Sequence, residues 1–323
     1  MKQSQWQRWV IACILLLATA TGHAAEVIFG GETILGCTLS GKTYDCPSYT
    51  SAAADIITIA DGYSVVGDLD QGASARLLKK ASLIGNLTVT GAVTMGVEAK
   101  IEGNLTSSDG TVTLDSYAEV TGNLYAGTTV TSADHAIVRG NVTALETVTM
   151  AASSHVFKNV TGTTVTMAAN GIINGDVSAT TVSLAANATI EGDVKEATTV
   201  SLAANATIEG DVKDATTVSV AAGGCVEGDV SGTTVTLAAG GGVGGSVDAT
   251  LTVTLAQGAS VGKNVNAGTT FTMTGDSTVG GYVTVAGGTR VEVNGYGQQD
   301  GNSCNGGISR TIIKRQWRQI FMR

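Results

Sequence analysis

The amino-acid sequence predicts an all-β protein, a right-handed parallel β-helix (β-solenoid) with about 13 coils of 17–19 residues. Three observations carry this prediction. A marker tripeptide, Gly-Asp/Asn-Val/Leu, returns at almost constant intervals, and apolar and polar residues alternate with a period of two inside each copy. The composition, with 43 glycines, one proline and 4% aromatic residues, fits a narrow core filled by small aliphatic side chains.

The repeat unit is clearest in the phrase ATTVSLAANATIEGDVK, which occupies 179–195 and again 197–213, with a diverged copy at 215–231. A unit of 18 residues cannot bury its apolar face alone, so neighbouring copies must stack. At a strand spacing of about 4.8 Å, thirteen coils predict a length of roughly 60 Å. The marker begins at Gly67, Gly85, Gly103, Gly122, Gly140, Lys158, Gly175, Gly192, Gly210, Gly228, Gly245, Lys263 and Gly281.

The alternation within one copy predicts which side chains face the core. Glycine and asparagine at the corners are expected to supply the positive φ angles of tight bends. A left-handed hexapeptide helix is the alternative, but it would place the charged Glu196 at an aliphatic position, which favours the right-handed form. The inward set is predicted as Val200, Leu202, Ala206, Ile208 and Val212, and the outward set as Thr199, Ser201, Glu209, Asp211 and Lys213.

The run of coils that read xVxLxxxAxIxGDV resembles the bactofilins, which are bacterial polymer-forming proteins, over residues 56–294. The resemblance implies a right-handed, three-sided β-helix that self-associates through its ends without a nucleotide or other cofactor. Bactofilins usually have fewer coils and no signal peptide. The chain is therefore expected to be an exported variant of that architecture.

The N-terminal residues 1–24 have the three parts of a secretory signal peptide. Lys2 and Arg8 precede an apolar core, and a small-residue site predicts cleavage after Ala24. An uncleaved anchor is the alternative, but the apolar run is shorter than the ~20 residues of a membrane span. We expect export to the periplasm, the cell surface or the medium, with no integral membrane segment after cleavage.

The remaining cysteines indicate disulfides, as expected for an exported protein. Cys37 and Cys46 enclose a short loop, and their pairing would staple an N-terminal cap over residues 25–55. Cys225 and Cys304 can pair only if the C-terminal tail folds back, and their pairing is left open.

The C-terminal segment 295–323 changes character from a flexible link to a basic amphipathic helix. Its predicted docking residues are Arg315, Trp317, Arg318 and Phe321. Three roles stay open: capping the last coil, binding a cell-envelope partner or export machinery, and contacting an anionic membrane surface.

A double column of threonines is predicted on one outward face. Similar Thr-x-Thr arrays resemble the ice-binding face of some β-solenoid antifreeze proteins, and the alternative is simple stabilisation, because threonine stacks well in strands. The ladder residues are Thr111, Thr113, Thr129, Thr131, Thr147, Thr149, Thr164, Thr166, Thr234, Thr236, Thr252 and Thr254.

A second column contains the corner residue of each marker, mostly asparagine and, in the middle of the chain, aspartate. Asparagine ladders of this kind satisfy backbone groups at bends. Six neighbouring carboxylates would repel one another and attract cations, so a weak Ca²⁺ patch is a candidate metal site. Lys195 and Lys213 lie two residues further along the same strands and can partly neutralise these carboxylates. Its residues are Glu191, Asp193, Glu209, Asp211, Glu227 and Asp229.

Composition and spacing argue against other classes of function. The net charge of −9 argues against nucleic acid as a partner. The short coils leave no room for loops that build a catalytic cleft, and His135 and His155 have no nucleophile in a recurring motif, so no catalytic residue and no cofactor are predicted. The sequence favours an exported structural, self-assembling or surface-interaction protein. The alternatives are an ice- or glycan-binding adhesin-type module and a polysaccharide-active enzyme.

Overall fold

A computed structural model describes residues 25–47, 49–286 and 290–294. The chain divides into two compact units, Met1–Arg139 and Gly140–Arg323. Both are parallel β-solenoids without helices in the described residues, and together they have about 13 turns. The predicted fold class is therefore confirmed, while the handedness stays a prediction. The signal peptide, Cys304 and the tail residues Arg315, Trp317, Arg318 and Phe321 lie outside the described residues.

Unit 1 consists of short strands joined by tight turns. They are β1 (Glu26–Phe29), β2 (Thr38–Ser40), β3 (Thr43–Asp45), β4 (Tyr49–Thr50), β5 (Ile56–Ile59), β6 (Ser64–Val66), β7 (Leu69–Gly72), β8 (Ser74–Leu77), β9 (Ser82–Ile84), β10 (Leu87–Val89), β11 (Val93–Met95), β12 (Lys100–Ile101), β13 (Leu105–Ser107), β14 (Val112–Leu114), β15 (Glu119–Val120), β16 (Leu124–Ala126), β17 (Thr129–Ser132) and β18 (Ile137–Val138).

Unit 2 continues the same pattern, with three longer strands where one corner straightens. They are β19 (Val142–Ala144), β20 (Thr147–Met150), β21 (His155–Val156), β22 (Val160–Thr161), β23 (Thr164–Met167), β24 (Ile172–Ile173), β25 (Val177–Ser178), β26 (Thr181–Leu184), β27 (Thr189–Ile190), β28 (Val194–Lys195), β29 (Thr199–Leu202), β30 (Thr207–Ile208), β31 (Val212–Val220), β32 (Cys225–Val226), β33 (Val230–Leu237), β34 (Gly242–Val243), β35 (Val247–Leu255), β36 (Ser260–Val261), β37 (Val265–Ala267), β38 (Thr270–Thr274), β39 (Thr278–Val279), β40 (Val283–Val285) and β41 (Arg290–Asn294).

Each unit has three sides formed by parallel ladders of strands, and in unit 2 each of the longer strands β31, β33 and β35 serves both side C and side A of its coil. In unit 1, side A contains β1, β5, β8, β11, β14 and β17, side B contains β3, β6, β9, β12, β15 and β18, and side C contains β4, β7, β10, β13 and β16. In unit 2, side A runs from β20 to β41 and side B from β21 to β39. Side C runs there from β19 to β40.

The core of each unit is a set of aliphatic columns, and the inward set predicted for the repeat is confirmed. Its five residues are each at most 3% exposed: Val200, Leu202, Ala206, Ile208 and Val212. Equivalent residues of successive coils are directly paired, as Val182, Val200 and Val218 are on side A. Burial of each aliphatic side chain stabilises the fold by roughly 1.5–3 kcal/mol. The columns therefore explain how a chain with so few aromatic residues folds.

The first coil of unit 1 differs from the others because aromatic rings fill its centre. Phe29 contacts Tyr44 and Tyr49 edge to face, with ring centroids 5.1 and 5.6 Å apart. Strands β2 and β3 form an antiparallel hairpin that a Cys37–Cys46 disulfide closes, with the two Cα atoms 4.4 Å apart. The N-terminal segment thus stacks on the following coil and carries a cross-linked hairpin at its outer edge.

The prediction that corner glycine and asparagine supply positive φ is confirmed at Asn187, Asn205, Gly223 and Gly240, but it is wrong for most marker glycines. In the repeat, Asn187 and Asn205 are left-handed at the bend between sides A and B, and Glu196 and Asp214 are left-handed between sides C and A. Gly210 of the marker has no positive φ, but a Cβ added there would lie 2.5 Å from the backbone of Gly192. The marker glycine is therefore required by the close approach of successive coils.

Candidate functional site: outward ladders and solenoid ends

The predicted hydroxyl ladder lies on side A, with its residues in register. In unit 2 the first column pairs Thr147, Thr164, Thr181, Thr199, Thr217, Thr234, Thr252 and Thr270, and the second pairs Thr149, Thr166, Ser183, Ser201, Ser219, Thr236, Thr254 and Thr272. In unit 1, Thr113 is paired with Thr131, while Thr111 and Thr129 lie two residues before them. The ladder residues are half-buried or exposed, so the side chains form a hydroxyl-rich outer surface.

The corner residues of the markers form a hydrogen-bond ladder between coils. In unit 1, Oδ1 of Asn86 accepts a hydrogen bond from the backbone N–H of Asn104 at 2.9 Å. In unit 2, Oδ1 of Asp193 accepts one from the N–H of Asp211 at 2.9 Å, and Asp211 accepts one in turn from Asp229 at 2.8 Å. Aspartate and asparagine are interchangeable in this role because both present a side-chain oxygen at the same position.

The aspartates of this ladder are also paired with lysines of the next coil. Lys195 Nζ lies 2.6 Å from Oδ2 of Asp176, and Lys213 Nζ lies 2.5 Å from Oδ2 of Asp193. These lysine bonds, together with the backbone hydrogen bonds, lower the pKa of Asp176 and of Asp193. Each aspartate therefore stays ionised while its two oxygens are engaged by the protein itself.

The six carboxylates of the candidate Ca²⁺ patch fall into two separate rows. Glu191, Glu209 and Glu227 directly follow strands of side B, whereas the aspartates occupy the corner two residues later. Burial, and then the charges of Glu191 and Glu227, raise the pKa of Glu209. Within the described parts of the chain, no group of three or more His, Cys, Asp or Glu side chains is arranged to hold a metal ion. Ca²⁺ binding at this patch stays a prediction.

The two histidines considered for catalysis contact aromatic rings. His135 stacks on Tyr117 with ring centroids 4.9 Å apart. His155 stacks on Phe157 at 3.9 Å, and its Nε2 lies 2.5 Å from Oδ1 of Asn174. These contacts position the imidazole rings on the surface, and none of these partners is a nucleophile.

The first coil of unit 1 has strand edges without a further partner among the described residues, and apolar side chains are incompletely buried both there and in the last coil of unit 2. Among the described residues, β1 pairs only with β5, and β2 is the outermost strand of its hairpin. Leu35 and Leu39 of this first coil are 84% and 40% exposed. In the last coil of unit 2, Val283 and Val285 are half-buried, although the paired Val265 and Ala267 are fully buried.

No helix long and apolar enough to cross a membrane occurs in the portion of the chain that the structure describes.

The stacked coils, in-register ladders and open strand edges define a structural repeat protein of the β-solenoid class. Residues 75–178 match the family model of the bactofilins, described as polymer-forming cytoskeletal. Over these residues the chain is therefore similar to the bactofilin family. No curated protein matches the chain. No solved structure matches it either.

Proposed function

We propose that this chain is an exported, non-catalytic structural protein that self-assembles by stacking the terminal coils of its solenoid. The observation that carries the proposal is the open edge of the first coil, where β1 and β2 lack a further strand partner among the described residues. An exposed strand edge is a template for pairing with another chain. The bactofilin match over 75–178 supports the same function, because that family forms polymers.

The apolar residues of the first coil add a driving force to edge pairing. Leu35 and Leu39 expose surface that a stacked partner would cover, at roughly 25 cal/mol for each Å² of apolar surface removed from water. The Cys37–Cys46 disulfide holds the β2–β3 hairpin in one conformation. Pre-organisation of this kind lowers the ordering cost of association.

A matched pair of leucine variants tests the interface. Leu39 in β2 and Leu78 between β8 and β9 are both 40% exposed, but only Leu39 lies in the first coil. We expect Leu39→Asp to shift sedimentation of the full chain from large species to small ones, whereas Leu78→Asp leaves the distribution unchanged. Equal effects of both variants, or no effect of either, would contradict assembly through this end.

Export is supported by the predicted signal peptide and by the Cys37–Cys46 disulfide, which is typical of oxidising compartments. N-terminal sequencing of the protein from fractionated cells tests it. We expect a mature N-terminus at Ala25 in the exported fraction. A chain that keeps Met1 and stays with the cytoplasmic fraction would contradict export.

The hydroxyl ladder supports a second candidate function, binding of ice or of a glycan. The observation that favours it is the unbroken register of two hydroxyl columns on side A of unit 2. Inhibition of ice recrystallisation by the purified chain, abolished in Thr166→Lys and retained in Thr166→Ser, would support it. Absence of inhibition, together with no retention on glycan columns, would leave the ladder a stabilising feature of the strands.

A further inference from the structure

We propose that the bend between sides A and B of unit 1 binds an arginine side chain of a basic protein partner, with the ring of Tyr117 as its platform. The site, which we call the bend platform, consists of Glu98, Asp115, Tyr117, Asp134 and His135. None of these residues belongs to the strand edges of the first coil or to the hydroxyl ladder. The proposal therefore does not depend on self-assembly or on binding of ice or glycan.

An exposed pair of stacked rings forms the centre of the platform. Tyr117 is 58% exposed, and His135 is exposed as well. The two rings stack with centroids 4.9 Å apart and planes inclined by 15°. Among the described residues, no other ring contacts Tyr117 and its hydroxyl makes no hydrogen bond. The imidazole thus supports one face of the tyrosine ring, and the ring presents a flat π surface and a polar tip to a ligand.

The preceding coils leave this π surface open. The N–H of Glu98 donates to the carbonyl of Ser116 at 3.1 Å, and the N–H of Tyr117 donates to the carbonyl of Asp134 at 3.2 Å, so these bends stack in register. The carboxylate of Glu98 lies 3.5 Å from Nζ of Lys80, which belongs to the coil on the other side of Glu98 from Tyr117. Within the described part of the chain, no hydrogen bond, ion pair or ring contact joins the side chains of Glu98 and Tyr117.

The charges around the ring favour a cation as the ligand. Asp115 lies two residues before Tyr117, and Asp134 directly precedes His135. Neither carboxylate makes a hydrogen bond or an ion pair through its oxygens with any described residue. A cation on the ring would be attracted both by the negative face of the π system and by these carboxylates. The net charge of −9 also favours the approach of a basic partner.

The combination of a flat ring and free carboxylates fits guanidinium better than ammonium. Guanidinium is planar, stacks on aromatic faces and donates several hydrogen bonds in its own plane. When it stacks on Tyr117, its N–H groups remain available to Asp115 or Asp134. A lysine ammonium is a compact, strongly hydrated charge that cannot cover the ring in this way.

The backbone of the platform is in a conformation that its residues rarely adopt. Tyr117 and His135 each have a φ of 62°, whereas the same bend in the repeat of unit 2 has Asn187 and Asn205 at 59° and 57°. Asparagine tolerates positive φ, but a bulky residue there destabilises the bend. A destabilising residue whose side chain lies outside the core is typical of a functional position, which agrees with a role of the rings in binding.

Titration of the full chain with blocked arginine amide, followed by the NMR signals of the Tyr117 and His135 rings, tests the site. Blocked lysine amide has the same charge, and blocked citrulline amide has the same shape without the charge. We expect saturable shifts of both ring signals with arginine, affinity for lysine lower by at least about threefold, and no binding of citrulline. No saturable shift with arginine, or equal affinity for lysine or citrulline, would overturn the proposal.

Two tyrosine variants test whether the ring of Tyr117 is the platform. Tyr125 faces outward on side C and is half-buried, so it serves as the control. We expect Tyr117→Leu to weaken arginine binding by roughly threefold or more, and Tyr125→Leu to leave it unchanged. Equal losses in the two variants, or no loss in either, would overturn the proposal.

Replacement by the residue typical of this bend separates binding from stability. We expect Tyr117→Asn to weaken arginine binding as Tyr117→Leu does, and to raise the denaturation midpoint because asparagine tolerates the positive φ. A lowered midpoint would show that the ring is retained for stability, and together with unchanged binding it would overturn the proposal; unchanged binding alone would do the same.

Discussion

Lys195 donates a hydrogen bond through Nζ to Oδ2 of Asp176 at 2.6 Å, which links one coil of unit 2 to the coil before it. The same aspartate accepts the backbone N–H of Asp193 through Oδ1 at 2.9 Å. One corner residue therefore satisfies a backbone donor and pairs with a cation at once. This double use, repeated at Asp193, makes the corner ladder a stabilising element of the solenoid.

Replacement of Asp193 separates the two interactions. Asp193→Asn keeps an oxygen for the N–H of Asp211 and loses only the partly exposed lysine pairing, so we expect a loss below about 1 kcal/mol. Asp193→Ala leaves that N–H without its acceptor and should cost about 1–3 kcal/mol. Chemical denaturation followed by circular dichroism measures both. Equal losses in the two variants would show that the ladder hydrogen bond contributes nothing.

The corner ladder also predicts how stability changes with pH. The pKa values of Asp176 and Asp193 are lowered in the folded state, so the unfolded chain binds more protons and stability falls as the solution is acidified. The contribution is complete above the ordinary aspartate pKa, about 3.9, and is lost as pH falls through the lowered folded values. Thermal melts between pH 6 and 2 should therefore show a shallower decline for Asp176→Asn/Asp193→Asn than for the native chain. Parallel curves would contradict this assignment.

The two kinds of glycine predict opposite results on substitution. Gly210→Ala places a Cβ 2.5 Å from the backbone of Gly192 and should destabilise the protein by about 1–3 kcal/mol or more. Gly240 has a φ of 71°, and an added Cβ there has no heavy atom nearer than 3.9 Å.

The control substitution is Gly240→Asn, because asparagine occupies the equivalent left-handed position at Asn187 and Asn205. We expect it to change the denaturation midpoint little. If Gly210→Ala were tolerated as well as Gly240→Asn, close approach of the coils would not be the reason for the marker glycine.

Most of the solenoid could be predicted because its physical signals repeat. If the strand register were shifted by one residue, the aliphatic side chain at the position of Ile208 would face water in every coil. The period-two pattern therefore determines which residues form the inward columns. The role of Gly210 could not be predicted in the same way, because glycine serves both a positive φ and a close backbone approach. The aromatic contact of Phe29 with Tyr44 was missed because it belongs to a coil without a repeat.

The side-chain contacts of the candidate site were harder to predict from the sequence than the fold was. The pattern placed Asp193 and Asp211 in one column and predicted repulsion between carboxylates, a corner ladder and partial neutralisation by Lys195 and Lys213, but not which oxygen each partner engages. In the structure, Lys213 and the backbone N–H of Asp211 already engage the oxygens of Asp193. Side-chain partners of this kind depend on distances between coils, which spacing along the chain does not provide.

Self-assembly through the ends of the solenoid is the central claim, and electron microscopy of the purified full chain tests it most directly. Negatively stained samples without added nucleotide or metal should contain filaments in the native protein and in Leu78→Asp, and dispersed particles in Leu39→Asp. Dispersed single particles of the native chain at every protein concentration and salt tested would contradict the claim.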